Sequence, residues 1–316
     1  MLRVAEPLNR RSGGSGPRLR LLAMLLTLSL VLSSFLSPTF SQKRVTKERA
    51  GAKVRLVVGI VIDQFRYDYL ARFEDLFGEG GFRRLLRDGA VFTNANYSYS
   101  PTVTAPGHAT FMTGSIPALD GIVEHARDLG LGGGRIDSKN IKSVIEAALN
   151  RRFRTEPWVL ATVNGNVYFD YGVMERRHVD RAEAERIGRN AAFTVEGVAE
   201  CFTRGQLLSR QLAPGLLSSH AANGFYAERS GDLVIINKPF YIQRTEPGTT
   251  HATPYSYDTH VPVIFYGAGV APGRYSIACS PSDIAATLSA ILKIEPASNN
   301  VGRILTEAIK SSIRRK

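Results

Sequence analysis

Apolar β-branched runs alternate with helix-patterned stretches along this 316-residue chain, the signature of an α/β protein with a largely parallel sheet. Three runs carry that expectation. Val54 to Ile62, VRLVVGIVI, is continuously apolar apart from Arg55 and Gly59, as in a strand covered on both faces. Leu233–Asn237 and Val261–Tyr266 have the same character far downstream.

In chain order, Tyr, Leu and Phe recur at helical spacing over Tyr67–Phe77 and Gly81–Arg87, and Asp88-Gly89 stops the second helix. Ala90–Tyr97 has strand character. A short helix is expected from Ala105 to about Thr113, and another from an Asp137 or Ser138 cap through Asn150. Trp158–Val163 and Val167–Asp170 form a hairpin pattern around Asn164-Gly165-Asn166. Asp180–Phe202 is mostly helical in pattern, Ser282–Leu292 is amphipathic, and Val301–Ile309 suggests a last helix. Gly130–Gly134 is glycine-rich but follows no strand and lacks a Lys-Ser/Thr, so it is a turn rather than a phosphate loop.

Hydrophobic residues make up 44% of the chain, enough for a sizeable core. The formal net charge is +12; beyond position 41, 35 basic face 27 acidic residues, a net of +8. That balance suits anionic small molecules, and no nucleic-acid module accompanies it. Arg10, Arg11, Arg18 and Arg20 precede the uncharged, Leu-rich stretch Leu21–Leu36, and Thr39-Phe40-Ser41 offers small residues for cleavage after Ser41. This is the pattern of an export signal, too short for a membrane span of about 20 residues. Gln42–Ala52 is a polar, basic linker. Cys201 and Cys279 either pair or stay buried thiols; two cysteines make no disulfide framework.

Few residues are placed for chemistry. Asp63 closes the first apolar run, and ligands gather off the carboxyl ends of strands in open α/β sheets. It is a candidate metal ligand or an N-cap for the next helix. Thr104 precedes Ala105-Pro106-Gly107 at a helix start, where backbone N–H groups favour an anion. Its hydroxyl is either a nucleophile toward phosphorus or a plain helix cap. His251 sits in the loop feeding Val261–Tyr266, as a ligand or a hydrogen-bonded loop histidine; His108 and His260 read as packing residues.

Three stretches together, VVGIVIDQFRYDYLARF, YSPTVTAPGHATFMTGSIPALDGI and GTTHATPYSYDTHVPVIFYGAGVAPGRY, resemble the alkaline phosphatase superfamily. The resemblance is to exported bacterial alkaline phosphatases with a threonine nucleophile, related to type I phosphodiesterases and nucleotide pyrophosphatases. It covers nearly all of the chain beyond the leader. It implies a three-layer α/β/α sandwich, residues 53–316 as one domain, and phosphate esters as substrates, with no specific nucleic acid and no stable membrane span after leader cleavage. It further implies two zinc ions, Thr104 as nucleophile and ligand of one zinc with Asp63, and His251 as ligand of the other.

The pattern is incomplete. The family's Asp-x-x-x-His and Asp-His-Gly motifs are absent, as are an asparagine after GI and a Lys-x-Arg pair. Ala118–Val123 resembles sequence after the nucleophile helix, whereas Glu124–Ile141 resembles sequence that follows the Asp-His-Gly turn. A block with central strands and four metal ligands is therefore expected to be missing at the Val123–Glu124 seam. Two functions follow from the resemblance: an exported metal-dependent phosphoric ester hydrolase, or an inactive shortened relic or binding protein on the same scaffold. A nucleotide phosphodiesterase is inseparable from a phosphomonoesterase, because the discriminating residues fall in the absent block.

Overall fold

The computed structural model describes residues 54–120, 135–241, 243 and 251–310. The leader, the linker, the Val123–Glu124 seam and Gly130–Gly134 lie outside the described residues. Among those described, no helix is long and apolar enough to cross a membrane.

The first part of the fold surrounds a three-stranded sheet. Helices α1 (Tyr69–Arg72) and α2 (Phe82–Asp88) lead into β1 (Ala90–Phe92). β1 pairs antiparallel with β6 (Val263–Phe265), Val91 opposite Ile264, and parallel with β7 (Gly273–Tyr275), Val91 opposite Arg274. Phe92, Val263 and Phe265 join Leu305 and Ala308 in one core cluster, closed by Ile284, Leu288 and Ile291 of α10 (Asp283–Leu292). Helices α3 (Thr104–Thr113) and α4 (Pro117–Asp120) follow β1. Gly114 ends α3 in the left-handed conformation, and an added Cβ would lie 2.0 Å from Asn300 Nδ2, so only glycine fits there.

The second part is itself three-layered. Strands β2 (Val159–Val163), β3 (Asn166–Phe169), β5 (Leu233–Asn237) and β4 (Val198–Thr203) form an antiparallel sheet in the order β2-β3-β5-β4. The period-2 rule sorts its side chains. Leu233 and Ile235 pack with Ile141, Ile145 and Leu149 of α5 (Ser138–Arg152) and with Ala184 and Ala191 of α7 (Arg181–Ala192). Val234 and Ile236 face the other way, toward Leu207 of α8 (Arg204–Ser209) and Ala221 and Ala222 of α9 (Leu216–Gly224). Four of the five described helices of this part start at a side-chain acceptor; α9, behind Gly215, has none. Asp137 accepts from Lys139 N at 2.8 Å, Asp180 caps α7, Asp170 caps α6 (Tyr171–Arg177), and Thr203 with Gln206 forms a capping box.

Four expectations need correction. The sheets are mainly antiparallel, with β1–β7 as the one parallel strand pair among the described residues. Residues 54–62 form no strand, and 55–62 are exposed, because no described strand lies beside them. The Asp180–Phe202 pattern is helical only to Ala192; Gly197 at φ +92 breaks it, and pairing with β5 makes Val198–Thr203 a strand. Val301–Ile309 is largely extended, with one 3₁₀ turn at Thr306–Ala308. Its backbone donors are taken by Gly114 O, Asp283 Oδ1 and Thr287 Oγ1, so a helical ladder has nothing to gain. Cys201 and Cys279 are both buried and free, in different core clusters, and burial pushes each thiol up to about 12.

Candidate active site

Asp63, Thr104 and His251 come from three distant stretches and meet on one carboxylate. Thr104 Oγ1 donates to Asp63 Oδ2 at 3.1 Å, and His251 Nε2 lies 3.3 Å from Asp63 Oδ1. The Asp63 side chain is 49% exposed and that of His251 15%, so the cluster opens to solvent on the Asp63 side.

Each residue is placed by local structure. Asp63 sits in the turn that follows residues 54–62, and Tyr67, four residues on, hydrogen-bonds His260 O and stacks on the His260 ring. The N-cap of α1 is Asp68, so Asp63 is not a cap. Thr104 is the first residue of α3; its N-cap is Val103, which caps with no side chain. The Thr104 hydroxyl therefore turns away from the helix toward Asp63 instead of closing the first turn. His108, one turn on, has Nδ1 2.8 Å from Thr104 O.

The His251 loop is fastened to the chain that enters α3. Ser100 Oγ donates to Ala252 O and Thr102 Oγ1 to Thr253 O, each at 3.1 Å. Thr253 in turn donates through N and Oγ1 to Asp258 Oδ2 at 2.9 and 2.7 Å. Burial raises the Asp258 carboxyl, while the Thr253 hydrogen bonds and the charges of His251 and Arg66 pull it back. On the α3 side, burial and the nearby Asp63 charge push the Tyr97 phenol up to about 12. Its hydroxyl lies under the first turn of α3, 3.3 Å from where a Gly107 Cβ would stand. Tyr97, Thr253 and Asp258 escaped the sequence reading. Tyr97 looks like one strand residue among several, while Thr253 and Asp258 lie within the His251 motif with no signal of their own.

The donor set limits what metal the site holds. Asp63, Thr104 and His251 supply oxygen and nitrogen donors to one point, and two zinc centres need about four ligands each. Among the described residues no group of three or more His, Cys, Asp or Glu side chains is arranged for a metal. The described residues do not fit a two-zinc centre. The arrangement instead offers a hydroxyl held by a carboxylate at the N-terminus of a ten-residue helix, where the helix dipole favours negative charge.

Comparisons with known proteins bear on this site. The family model for type I phosphodiesterases and nucleotide pyrophosphatases matches residues 57–163. The chain is 44% identical to the alkaline phosphatase PhoV of Synechococcus elongatus over 105 residues, 31% of this chain and 19% of that protein. It is 49% identical to the alkaline phosphatase PafA of Elizabethkingia meningoseptica over 76 residues, 24% of this chain and 14% of that protein. A longer match, 31% over 179 residues, is to a Myroides odoratus protein named calcium-transporting ATPase, covering 56% of this chain and 32% of that one. The matched parts thus span a third or less of these relatives' lengths. In fold, the chain superimposes on the crystal structure of wild-type alkaline phosphatase PafA with a TM-score of 0.74 at 17% identity, over 83% of this chain and 100% of that one.

Proposed function

We propose that the chain is a member of the alkaline phosphatase superfamily that carries the nucleophile side of a phosphoric ester hydrolase site, with Thr104 as the attacking residue; the match of residues 57–163 to the type I phosphodiesterase and nucleotide pyrophosphatase family and the likeness to alkaline phosphatases support this reading. The observation that carries this reading is the convergence of Thr104 and His251 on the two oxygens of Asp63.

In the proposed reaction Thr104 Oγ1 attacks phosphorus, a new P–O bond forms, and the ester P–O bond breaks to release an alcohol. Water then attacks the phosphothreonine, releasing phosphate and restoring the hydroxyl. Asp63 Oδ2 holds the Thr104 proton before attack. His251 steadies the other carboxylate oxygen, so that the carboxylate faces Thr104 in one orientation. The α3 N-terminus favours the charge on the phosphoryl oxygens. The substrates in this reading are small phosphate esters, and the leader of residues 1–41 sends the protein out of the cytoplasm.

The short donor set favours a second reading, a scaffold that binds phosphate esters without turning them over. One experiment separates the two. The whole chain is incubated with p-nitrophenyl phosphate, with and without zinc, quenched in acid, and the Thr104 peptide is weighed by mass spectrometry. Turnover together with a phosphate adduct on Thr104, both lost in Thr104→Ala, supports the hydrolase. Turnover that survives in Thr104→Ala refutes the assignment of the nucleophile. Ester binding with neither turnover nor adduct establishes the binding scaffold instead.

A further inference from the structure

Ala252, the residue after His251, has φ +118. The other six non-glycine residues at positive φ among those described lie between 48° and 62°, in the ordinary left-handed region. Three of them, His178, Arg210 and Lys293, simply end helices. At +118 a side chain is strained, and glycine alone enters freely. Such a conformation persists only where surrounding contacts over-determine it, and it gathers at functional sites.

The contacts that hold Ala252 come from side chains, since residues 251–253 lie in no helix or strand. The peptide group between Ala252 and Thr253 is gripped at both polar ends. Its carbonyl oxygen accepts from Ser100 Oγ at 3.1 Å, and its N–H donates to Asp258 Oδ2 at 2.9 Å. Fixing both ends of a planar peptide fixes the rotation about the Ala252 Cα–C bond. Thr253 Oγ1 donates to the same Asp258 oxygen at 2.7 Å. Asp258 is anchored in turn by the single helical turn Ser256–Thr259, its N–H donating to Tyr255 O at 2.9 Å. Without that carboxylate one end of the peptide is released. Ala252 can then relax, and His251, one residue back, swings off Asp63.

We propose that Asp258 is a positioning residue, whose carboxylate offsets the strain at Ala252 and so holds the His251 ring on Asp63. The role rests on reading Asp63, Thr104 and His251 as one site; Asp258 acts on it through the loop backbone and takes no part in the chemistry. Two features separate this from general support of the fold. Both Thr253 donors meet on one oxygen, so Asp258→Asn can accept both through its amide oxygen, while Asp258→Ala accepts neither. The need for the carboxylate should also vanish with the strain, so Asp258→Ala should be tolerated once Ala252→Gly makes the native φ easy.

The test reads His251 itself. Whole chains carrying isotope-labelled histidine are studied by long-range proton–nitrogen NMR at mildly alkaline pH, with thermal melts to confirm that each variant folds. His251 is assigned by the signal lost in His251→Gln. A neutral histidine facing a carboxylate keeps its proton on Nε2, so the parent should show a single tautomer. Asp258→Ala should lose that pattern for the averaged one of a solvated imidazole. Asp258→Asn should keep it, and so should Asp258→Ala combined with Ala252→Gly. If Asp258→Ala does not fold, Ser100→Ala, which frees the other end of the same peptide, takes its place. A parent that already shows the averaged pattern overturns the proposal, since no ring is then held. So does a single tautomer that survives in Asp258→Ala. Loss of the pattern in Asp258→Asn overturns it by making charge the cause, and a loss that Ala252→Gly does not reverse makes Asp258 a general support. Turnover of p-nitrophenyl phosphate is read alongside. In an active parent Asp258→Ala should lower kcat about tenfold or more, and Ala252→Gly should restore it. A parent without turnover counts against the hydrolase alone, and the ring signal still decides the role of Asp258.

Discussion

Replacing Thr104 by Ala should leave the fold almost as stable as before. Among the described residues the hydroxyl makes one hydrogen bond, to Asp63 Oδ2 at 3.1 Å, on a carboxylate that is half exposed. Such a bond contributes about 0.5 to 1.5 kcal/mol, at the low end where water competes for the acceptor. Against it, Ala is favoured over Thr within a helix by roughly 0.5 kcal/mol, and Thr104 is the first residue of α3. The two effects nearly cancel, leaving a loss of about 0.5 kcal/mol or less. A true N-cap would behave otherwise, costing about 1 kcal/mol on removal of its oxygen. The assay is urea unfolding of Thr104, Thr104→Ala, Thr104→Val and Thr104→Ser chains, followed by circular dichroism. For a domain of this size about 1 kcal/mol also moves Tm by roughly 2–4 °C, which a thermal melt resolves. Ala and Ser should fall close to the parent. A loss of more than about 1 kcal/mol in both Ala and Val, recovered in Ser, would show that the hydroxyl holds the helix, and the argument from Val103 as cap would fail. If Ala is silent in stability, it becomes a clean probe of the nucleophile, because any lost chemistry cannot be blamed on unfolding.

Four further outcomes follow from particular residues. Gly224→Ala would place a Cβ 1.5 Å from Ser100 O, so the backbone that enters α3 must move; a loss of about 3 kcal/mol or more is expected in urea unfolding. His220 is buried with no hydrogen-bond partner on Nδ1 among the described residues, and burial lowers its pKa from 6.5. The unfolded chain therefore takes up a proton below 6.5 that the folded chain refuses. Stability is full above that pH and falls as pH drops through it, by up to ~1.4 kcal/mol per pH unit; His220→Gln should flatten that part of the curve. Elemental analysis after dialysis should find less than one tightly held zinc per chain, and two would show that other ligands complete the site. N-terminal sequencing of the exported protein should begin near Gln42, whereas a start at Met1 would end the export reading.

The sequence alone determined what is local. Helix starts were legible where a side chain closes its own turn, as at Asp137 and Asp180, and the β2–β3 hairpin was legible because Asn164-Gly165 fixes a turn within a few residues. The motifs around Asp63, Thr104 and His251 were legible as a set, because their residue types and order carry a family's chemistry even when the spacing between them does not. Strand partners were not legible, because a strand's stability lies in a neighbour that is often far off in sequence. Val198–Thr203 has helical surroundings and becomes a strand only through β5, while VRLVVGIVI has the strongest strand composition and finds no described partner.

Only the tertiary structure decided what the site residues touch. From local sequence, Asp63 was as good a cap as a functional group, and Thr104 was a cap first, made a nucleophile candidate only by the family resemblance. The fold separates these readings by giving both capping places to other residues, Val103 and Asp68, and by pointing the Thr104 hydroxyl at a carboxylate 41 residues away. His251 is held beside the same carboxylate by Ser100 and Thr102, whose hydroxyls bond the backbone of its loop across some 150 residues of chain. Capping is a contact within one turn and can be guessed from neighbours. Convergence of three side chains depends on packing between elements, and no local pattern encodes it.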